Sequence, residues 1–184
     1  MARTKIGIIG AGNMGSAFAT RLTAAGHDGA ITAKDPAHAE KVAAATGGKA
    51  RAVKPTEIAQ GADVVILAVP YNAAVDALRA AGDLAGKTVI DITNPLTADM
   101  SGLQVGHTTS AAEEIQRGAP QAKIVKAFNT VFAQVLGGTG KAQVLLAGDD
   151  QGAKDKVKAL AESAGFDAVD AGPLGNARHL EPLG

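Results

Sequence analysis

Six residues near the N-terminus, Gly10-Ala11-Gly12-Asn13-Met14-Gly15, spell the pattern G-x-G-x-x-G. They follow the short apolar run Lys5–Ile9 directly and open a segment with helical spacing, which is the context that gives this pattern chemical meaning. Each glycine meets a different need. Gly10 permits a tight turn out of the strand. Gly12 lacks a Cβ, so the backbone can come close to an anion. Gly15 lets the following helix pack tightly on the strand. The unpaired N–H groups of a first helical turn, together with the helix dipole, favour negative charge, so the amides of Asn13 and Met14 are expected donors to a pyrophosphate. The chemistry implied is dinucleotide binding.

The end of the second strand tells one dinucleotide from another. A site for NAD usually places Asp or Glu there to accept from the ribose 2′-hydroxyl. Counting along Gly26–Pro36, that place falls on Ala33, and Lys34 follows. Alanine removes the carboxylate that would repel a 2′-phosphate, lysine adds attraction, and Thr32 and His38 can add hydrogen bonds. The preferred cofactor is therefore NADP. Asp35 stands one register position from serving as an NAD acid.

Two more segments sit where ligands bind in open α/β sheets, after strands at their C-terminal ends. Val69-Pro70-Tyr71 and Thr93-Asn94-Pro95-Leu96 are both placed to line the nicotinamide half. Asn176 and Arg178 open a final helical segment, with Arg178 able to pair with an anionic group of a second substrate. The four histidines, His27, His38, His107 and His179, show no metal-ligand spacing, and Asp149-Asp150 reads as a helix cap.

These residues need a frame. The chain has 184 residues, 46% hydrophobic and 20% charged, enough for one domain with a sizeable core. Aromatics are 3%, so that core is built from Ala, Val, Ile and Leu. Lys+Arg and Asp+Glu are balanced at 18 each, giving no broad basic face for nucleic acid or anionic membrane. There is no cysteine, which excludes disulfides, thiolate metal sites and Cys nucleophiles. The start, Met1-Ala2-Arg3-Thr4-Lys5, lacks a signal-peptide core and no apolar run is long enough to span a membrane, so a cytoplasmic location is expected.

Apolar runs alternate with Ala-rich helical stretches. Strands are expected at Lys5–Ile9, Ala30–Thr32, Ala50–Val53, Asp63–Val69, Lys87–Ile92, Ile124–Phe128, Gln143–Ala147 and Phe166–Asp170. Helices are expected at Asn13–Ala25, from Pro36 to about Thr46, Pro55–Gln60, Tyr71–Ala81, from Ser110 to Arg117, and Gln151–Ala164. Leu96–Thr109 reads as a long loop, and Ser110 with Glu113 as a capping box. Parallel neighbours require crossover helices, so the alternation predicts an α/β fold. It is a doubly wound, mostly parallel sheet of the Rossmann type, in a single domain over residues 1–184.

Beyond the common opening, Val69-Pro70-Tyr71, Asp91-Ile-Thr-Asn-Pro-Leu96, Lys126-Ala-Phe-Asn-Thr130 and Asp170-Ala-Gly-Pro-Leu-Gly-Asn-Ala-Arg178 occur in an order that resembles the NADPH-dependent coenzyme F420 reductases. The cytoplasmic reductase domain of the STEAP metalloreductases is similar. The resemblance spans essentially the whole chain. It implies hydride transfer between the nicotinamide and a deazaflavin or other flavin-type ring held face to face. By that resemblance Ala11–Met14 hold the pyrophosphate, and Lys34 and His38 hold the 2′-phosphate. Val69, Pro70, Asn94 and Ala133 shape the nicotinamide pocket, and Asn129, Thr130, Val131 and Phe132 border the acceptor. No side chain is implied as a catalytic acid, base or nucleophile. The chain departs from the archaeal members at two places. Ala33-Lys34 replaces a Ser-Arg pair, and Asn129-Thr-Val-Phe132 replaces His-Thr-Ile-Pro. The resemblance also implies a homodimer and more helix beyond Gly184, so a C-terminal extension is expected to be lacking here.

Two other functions fit the same motif. One is reduction of an imine or a 2-hydroxyacid by an NADP-dependent enzyme. The other is a non-catalytic module that senses NADP.

Overall fold

The computed structural model describes residues 3–184, so Met1 and Ala2 of the expected leaderless start lie outside the described residues. One eight-stranded sheet has the order β3-β2-β1-β4-β5-β6-β7-β8. Its strands are β1 (Lys5–Ile9), β2 (Asp28–Thr32), β3 (Ala50–Ala52), β4 (Val64–Leu67), β5 (Thr88–Asp91), β6 (Lys123–Lys126), β7 (Gln143–Gly148) and β8 (Asp167–Asp170). β1 through β6 are mutually parallel, β7 runs antiparallel to β6, and β8 is parallel to β7. The doubly wound, mostly parallel sheet expected from the sequence is present.

The central strands are buried on both sides because helices cover both faces. Alternate residues of β4 point to opposite cores. Val64 and Ile66 join Ile8, Phe18, Ile31, Ile90 and Val157 on one side, while Val65 and Leu67 join Ile9, Leu78, Val89 and Ile115 on the other. The flanking helices are α1 (Asn13–Ala24), α2 (Pro36–Ala45), α3 (Tyr71–Ala80), α4 (Ala111–Gly118), α5 (Ala133–Gly137), α6 (Gln151–Ser163) and α7 (Ala177–Leu180). Asp35 caps α2 by accepting from the Ala37 amide, and Asp150 caps α6 by accepting from Ala153.

Several expectations need correction. Pro55–Gln60 is a single 3-10 turn at Pro55–Glu57, since Gly61 and the following strand leave no length for an α-helix. The helix expected over Asn13–Ala25 ends at Ala24; it buries Ala17, Phe18 and Leu22, and Ala25 lies exposed past its end. Helix α5 has no counterpart among the expected helices, because Phe132–Gly140 has too few periodic positions to stand out from a loop. At the start of α4, Ser110 accepts from the Glu113 amide as expected. The Glu113 carboxylate, however, turns to the Ser110 hydroxyl and to Arg178 instead of closing the box on the backbone.

His27 adds a pH-sensitive tie between elements. Its Nδ1 accepts from the Thr4 amide at 3.1 Å, and Nε2 lies 2.7 Å from Ser163 Oγ, whose own proton goes to the Leu160 carbonyl. The ring is therefore neutral and donates through Nε2. Burial pushes its pKa below the ordinary value, against a smaller opposing pull from Asp28. A group whose folded pKa is depressed in this way binds protons more readily when unfolded. Its stabilisation is complete above about pH 6.5 and is lost as pH falls below it. The melting temperature is expected to fall between pH 7 and 5.5, and His27→Gln is expected to flatten that slope in a thermal-melt series.

Candidate functional site

The site is built at the C-terminal ends of β1, β2, β4, β5 and β6. Gly10 leaves β1 with φ +112°, and its amide donates to the Thr32 carbonyl at 2.8 Å, joining the motif turn to the end of β2. A side chain at Gly10 would land on the Ala68 carbonyl, and one at Gly15 would land on the Gly10 carbonyl. Both glycines are therefore required by the protein's own packing. Gly12 is different. It is the N-cap of α1, with φ −78°, and a Cβ there would meet nothing within 4 Å. No side chain caps α1 and no acid occupies its first turn. The first in-helix bond runs from the Ser16 amide to the Gly12 carbonyl, so the amides of Asn13, Met14 and Gly15 are the free donors of that turn.

Two cavities flank the dipeptide Ala33-Lys34. One is an open groove of about 980 Å³ bounded by Gly12, Ser16, Ala33, Lys34, His38 and Lys41. The other is an apolar recess of about 320 Å³ between β2, β4 and α3, lined by Ile9, Thr32, Ile58, Val69, Ala73 and Ala77. A flat base fits an apolar recess, and a phosphate fits a groove with cations on its wall. Asp35 also borders the groove, but its carboxylate is held by the Ala37 amide as the α2 cap. It is thus drawn toward the helix start, and Ala33 occupies the strand-end position. Lys41, also on the groove, is not among the candidates expected from the sequence. The signal was its spacing of three from His38, which sets both on one face of α2.

Val69 lines the recess, Pro70 is the N-cap of α3, and Tyr71 is its first residue. Burial, with the carboxylates of Glu114 and Glu181, pushes the Tyr71 phenol above its usual pKa, so it remains an O–H donor. Asn94 and Asn129 interlock. Asn94 Nδ2 donates to the Asn129 carbonyl at 2.8 Å, and Asn129 Nδ2 donates to Asn94 Oδ1 at 3.1 Å. Both ends of the Asn94 amide group are thus engaged by Asn129.

Helix α5 carries the segment after β6 alongside α1. Gly137 lies against Ala17, and Arg21 donates to the carbonyls of Gly138 and Gly140. α5 therefore runs beside α1 in the same sense, which brings Ala133 level with Asn13 and Met14. Phe132, at the N-cap of α5, is 74% exposed there. The turn that delivers this segment is Phe128, at φ +62°, a region unusual for a bulky residue. Its ring is gripped edge-on by Phe18 at 5.1 Å and Phe166 at 5.7 Å. The ring contacts supply what a glycine at that turn would supply by freedom alone.

Arg178 is not free to meet a second substrate. Its guanidinium makes two bonds of 2.7 and 2.8 Å to Glu113, whose carboxyl it holds below the usual range. Asn176 donates to the Ala171 carbonyl and caps nothing. Among the described residues no helix is long and apolar enough to cross a membrane, and no group of three or more His, Asp or Glu could hold a metal ion.

Residues 5–95 match the family described as NADP oxidoreductase, coenzyme F420-dependent. The whole fold superposes on a candidate F420-dependent NADP reductase from Arthrobacter sp. FB24 with a TM-score of 0.85 and 31% identity, covering 98% of this chain and 90% of that one. A hypothetical protein of Sinorhizobium meliloti gives 0.85 and 36%, covering 96% and 88%. Metalloreductase STEAP3 of Rattus norvegicus is 30% identical over 182 residues, 97% of this chain, which spans only 36% of that relative. A reductive aminase of Aspergillus terreus solved with NADPH has a TM-score of 0.71 at 21% identity, covering 98% of this chain and 59% of that one, a likeness of fold alone. With its glycine turn, its strand-end loops and its full-length likeness to the bacterial proteins, the chain belongs to the family of coenzyme F420-dependent NADP oxidoreductases.

Proposed function

We propose that this protein binds NADP(H) and passes hydride between its nicotinamide and coenzyme F420 or another flavin-type acceptor. The observation that carries the cofactor half is Gly12. It is the one motif glycine that nothing inside the protein requires, and it stands beside free helix-start amides and the groove. Ala11, Gly12, Asn13 and Met14 would hold the pyrophosphate. Thr32 and Ala33 would border the adenosine, with Lys34, His38 and Lys41 along the 2′-phosphate. Val69, Pro70, Tyr71, Asn94 and Ala133 would enclose the nicotinamide. When bound, the nicotinamide supplies or receives the hydride. The chain's residues hold two rings in register and keep water out, which is what such a transfer needs from a protein. The acceptor half is supported by family membership and by the exposed Phe132 at the N-cap of α5, beside α1. The proposal includes a cytoplasmic location and a homodimeric state, the latter checked by sedimentation.

Titration with NADPH and NADH, followed by an acceptor series of F420, FMN, FAD and cyclic imines, tests the reading. NADPH oxidation with F420 or a flavin is expected. Turnover with imines alone would reassign the acceptor, and NADPH binding without any turnover would make the chain a sensor. Lys34→Ala is expected to weaken NADPH about fivefold, the worth of about 1 kcal/mol for an exposed charge contact, and to leave NADH nearly unchanged. Equal losses for both would remove Lys34 from the 2′-phosphate.

A further inference from the structure

Beneath the strand-end loops lies a buried group of charges that the proposed chemistry does not use. Lys126, at the end of β6, is fully buried, as is Asp91 at the end of β5, and Glu181 is 2% exposed. Lys126 Nζ donates to Asp91 Oδ2 at 2.7 Å, to Glu181 Oε1 at 2.9 Å and to the Thr93 carbonyl at 2.5 Å. An ammonium has three protons, and all three are placed. Asp91 Oδ1 accepts from the Thr93 amide at 2.9 Å. Glu181 accepts from the amides of Ala111 and Ala112, at 2.8 and 3.1 Å, so its charge rests on the N-terminus of α4.

We infer that Lys126 and Glu181 are positioning residues for the nicotinamide end of the site. The inference depends on the NADP(H) reading above. Thr93 is gripped at both its amide and its carbonyl by this group, and Asn94 is the next residue. Asn94 interlocks with Asn129, and Asn129 Nδ2 also donates to the Leu180 carbonyl at 2.8 Å, immediately before Glu181. The network thus reaches the ligand-facing loops from below through Thr93 and from the side through residues 180–181. Burying three charges costs desolvation, and apolar residues of similar volume often stabilise a fold equally well. What apolar residues cannot do is fix a carbonyl and an amide of one turn at set positions. The Thr93-Asn94 turn is a wall that must hold a ring to within a fraction of an ångström for hydride transfer.

The test separates the two halves of the cofactor. Glu181→Gln keeps the shape and leaves the neutral Lys126–Asp91 pair. Affinities for NADPH and for 2′,5′-ADP, which lacks the nicotinamide, are measured for parent and variant, with single-turnover hydride transfer to the best acceptor. Binding of 2′,5′-ADP is expected to stay within about twofold. NADPH affinity is expected to fall about fivefold and the transfer rate about tenfold or more, as displacement of a reacting group demands. A folded variant with unchanged NADPH affinity and transfer rate would overturn the inference, as would equal losses for NADPH and 2′,5′-ADP. Should Glu181→Gln fail to fold, the charge-free set Asp91→Asn, Lys126→Met, Glu181→Gln carries the same measurements, since it leaves no unpaired buried ion. A parent protein that binds neither NADPH nor 2′,5′-ADP would refute the cofactor reading itself. A parent that binds both, paired with a variant that loses both equally, would refute only the positioning role.

Discussion

Gly12→Val is expected to lower NADPH affinity on the order of 100-fold, about 2.7 kcal/mol, while the melting temperature stays where it was. The two halves of this result have separate physical sources. The backbone at Gly12 has φ −78°, which any residue adopts, and a Cβ there points into open space. Folding therefore has no stake in the glycine. The same open space faces the free amides of α1, and a branched side chain would stand between them and a pyrophosphate. Each charge-assisted hydrogen bond lost costs about 1.5–3 kcal/mol, so losing one or two accounts for the expected drop. Isothermal titration with NADPH alongside a thermal melt checks both halves. A valine variant that binds NADPH as the parent does would remove the pyrophosphate from this turn.

Gly10→Ala has the opposite signature. The residue sits at φ +112°, and its new methyl group would collide with the Ala68 carbonyl, a main-chain atom of the neighbouring strand end. The left-handed backbone costs an L-residue about 1–2 kcal/mol, and forcing a methyl into packed structure adds about 1–3 kcal/mol. A loss of about 3 kcal/mol is expected, equivalent to a fall of roughly 10 °C in Tm for a chain of this size. Calorimetry of the ligand-free protein measures it. An unchanged Tm would mean that the turn relaxes at no cost. Placed side by side, the two variants divide one six-residue motif into a binding position and a folding position.

The sequence and the structure agree most closely where the signal is local. Lys5–Ile9 and Pro36 mark their elements to the residue, because a buried strand is a continuous apolar run and proline favours the first helical turn. The alternation of runs is enough to give a parallel sheet. The place of Ala33 and Lys34 just past the end of β2 also follows from counting along that strand. What stayed hidden depends on contacts between distant residues. Lys126 and Asp91 each end a strand buried on both faces, which is a faint signal, but nothing in the sequence joins them to Glu181. Arg178 looks like a free anion receptor until Glu113, 65 residues earlier, is seen to fill it. The left-handed residue after β6 is Phe128 itself, with asparagine standing one position later, so no residue that favours that conformation announces it.

That turn has a consequence for how the cleft can move. Phe18 belongs to the helix whose start is proposed to hold the pyrophosphate, and Phe128 launches the segment proposed to border the acceptor. Three of the chain's four phenylalanines are locked into one perpendicular stack joining those two parts. The motif helix and the segment after β6 are thereby packed together as one unit. Any movement that admits a second substrate to the proposed site is therefore expected outside this aromatic stack, with the spacing between α1 and the segment launched at Phe128 held constant.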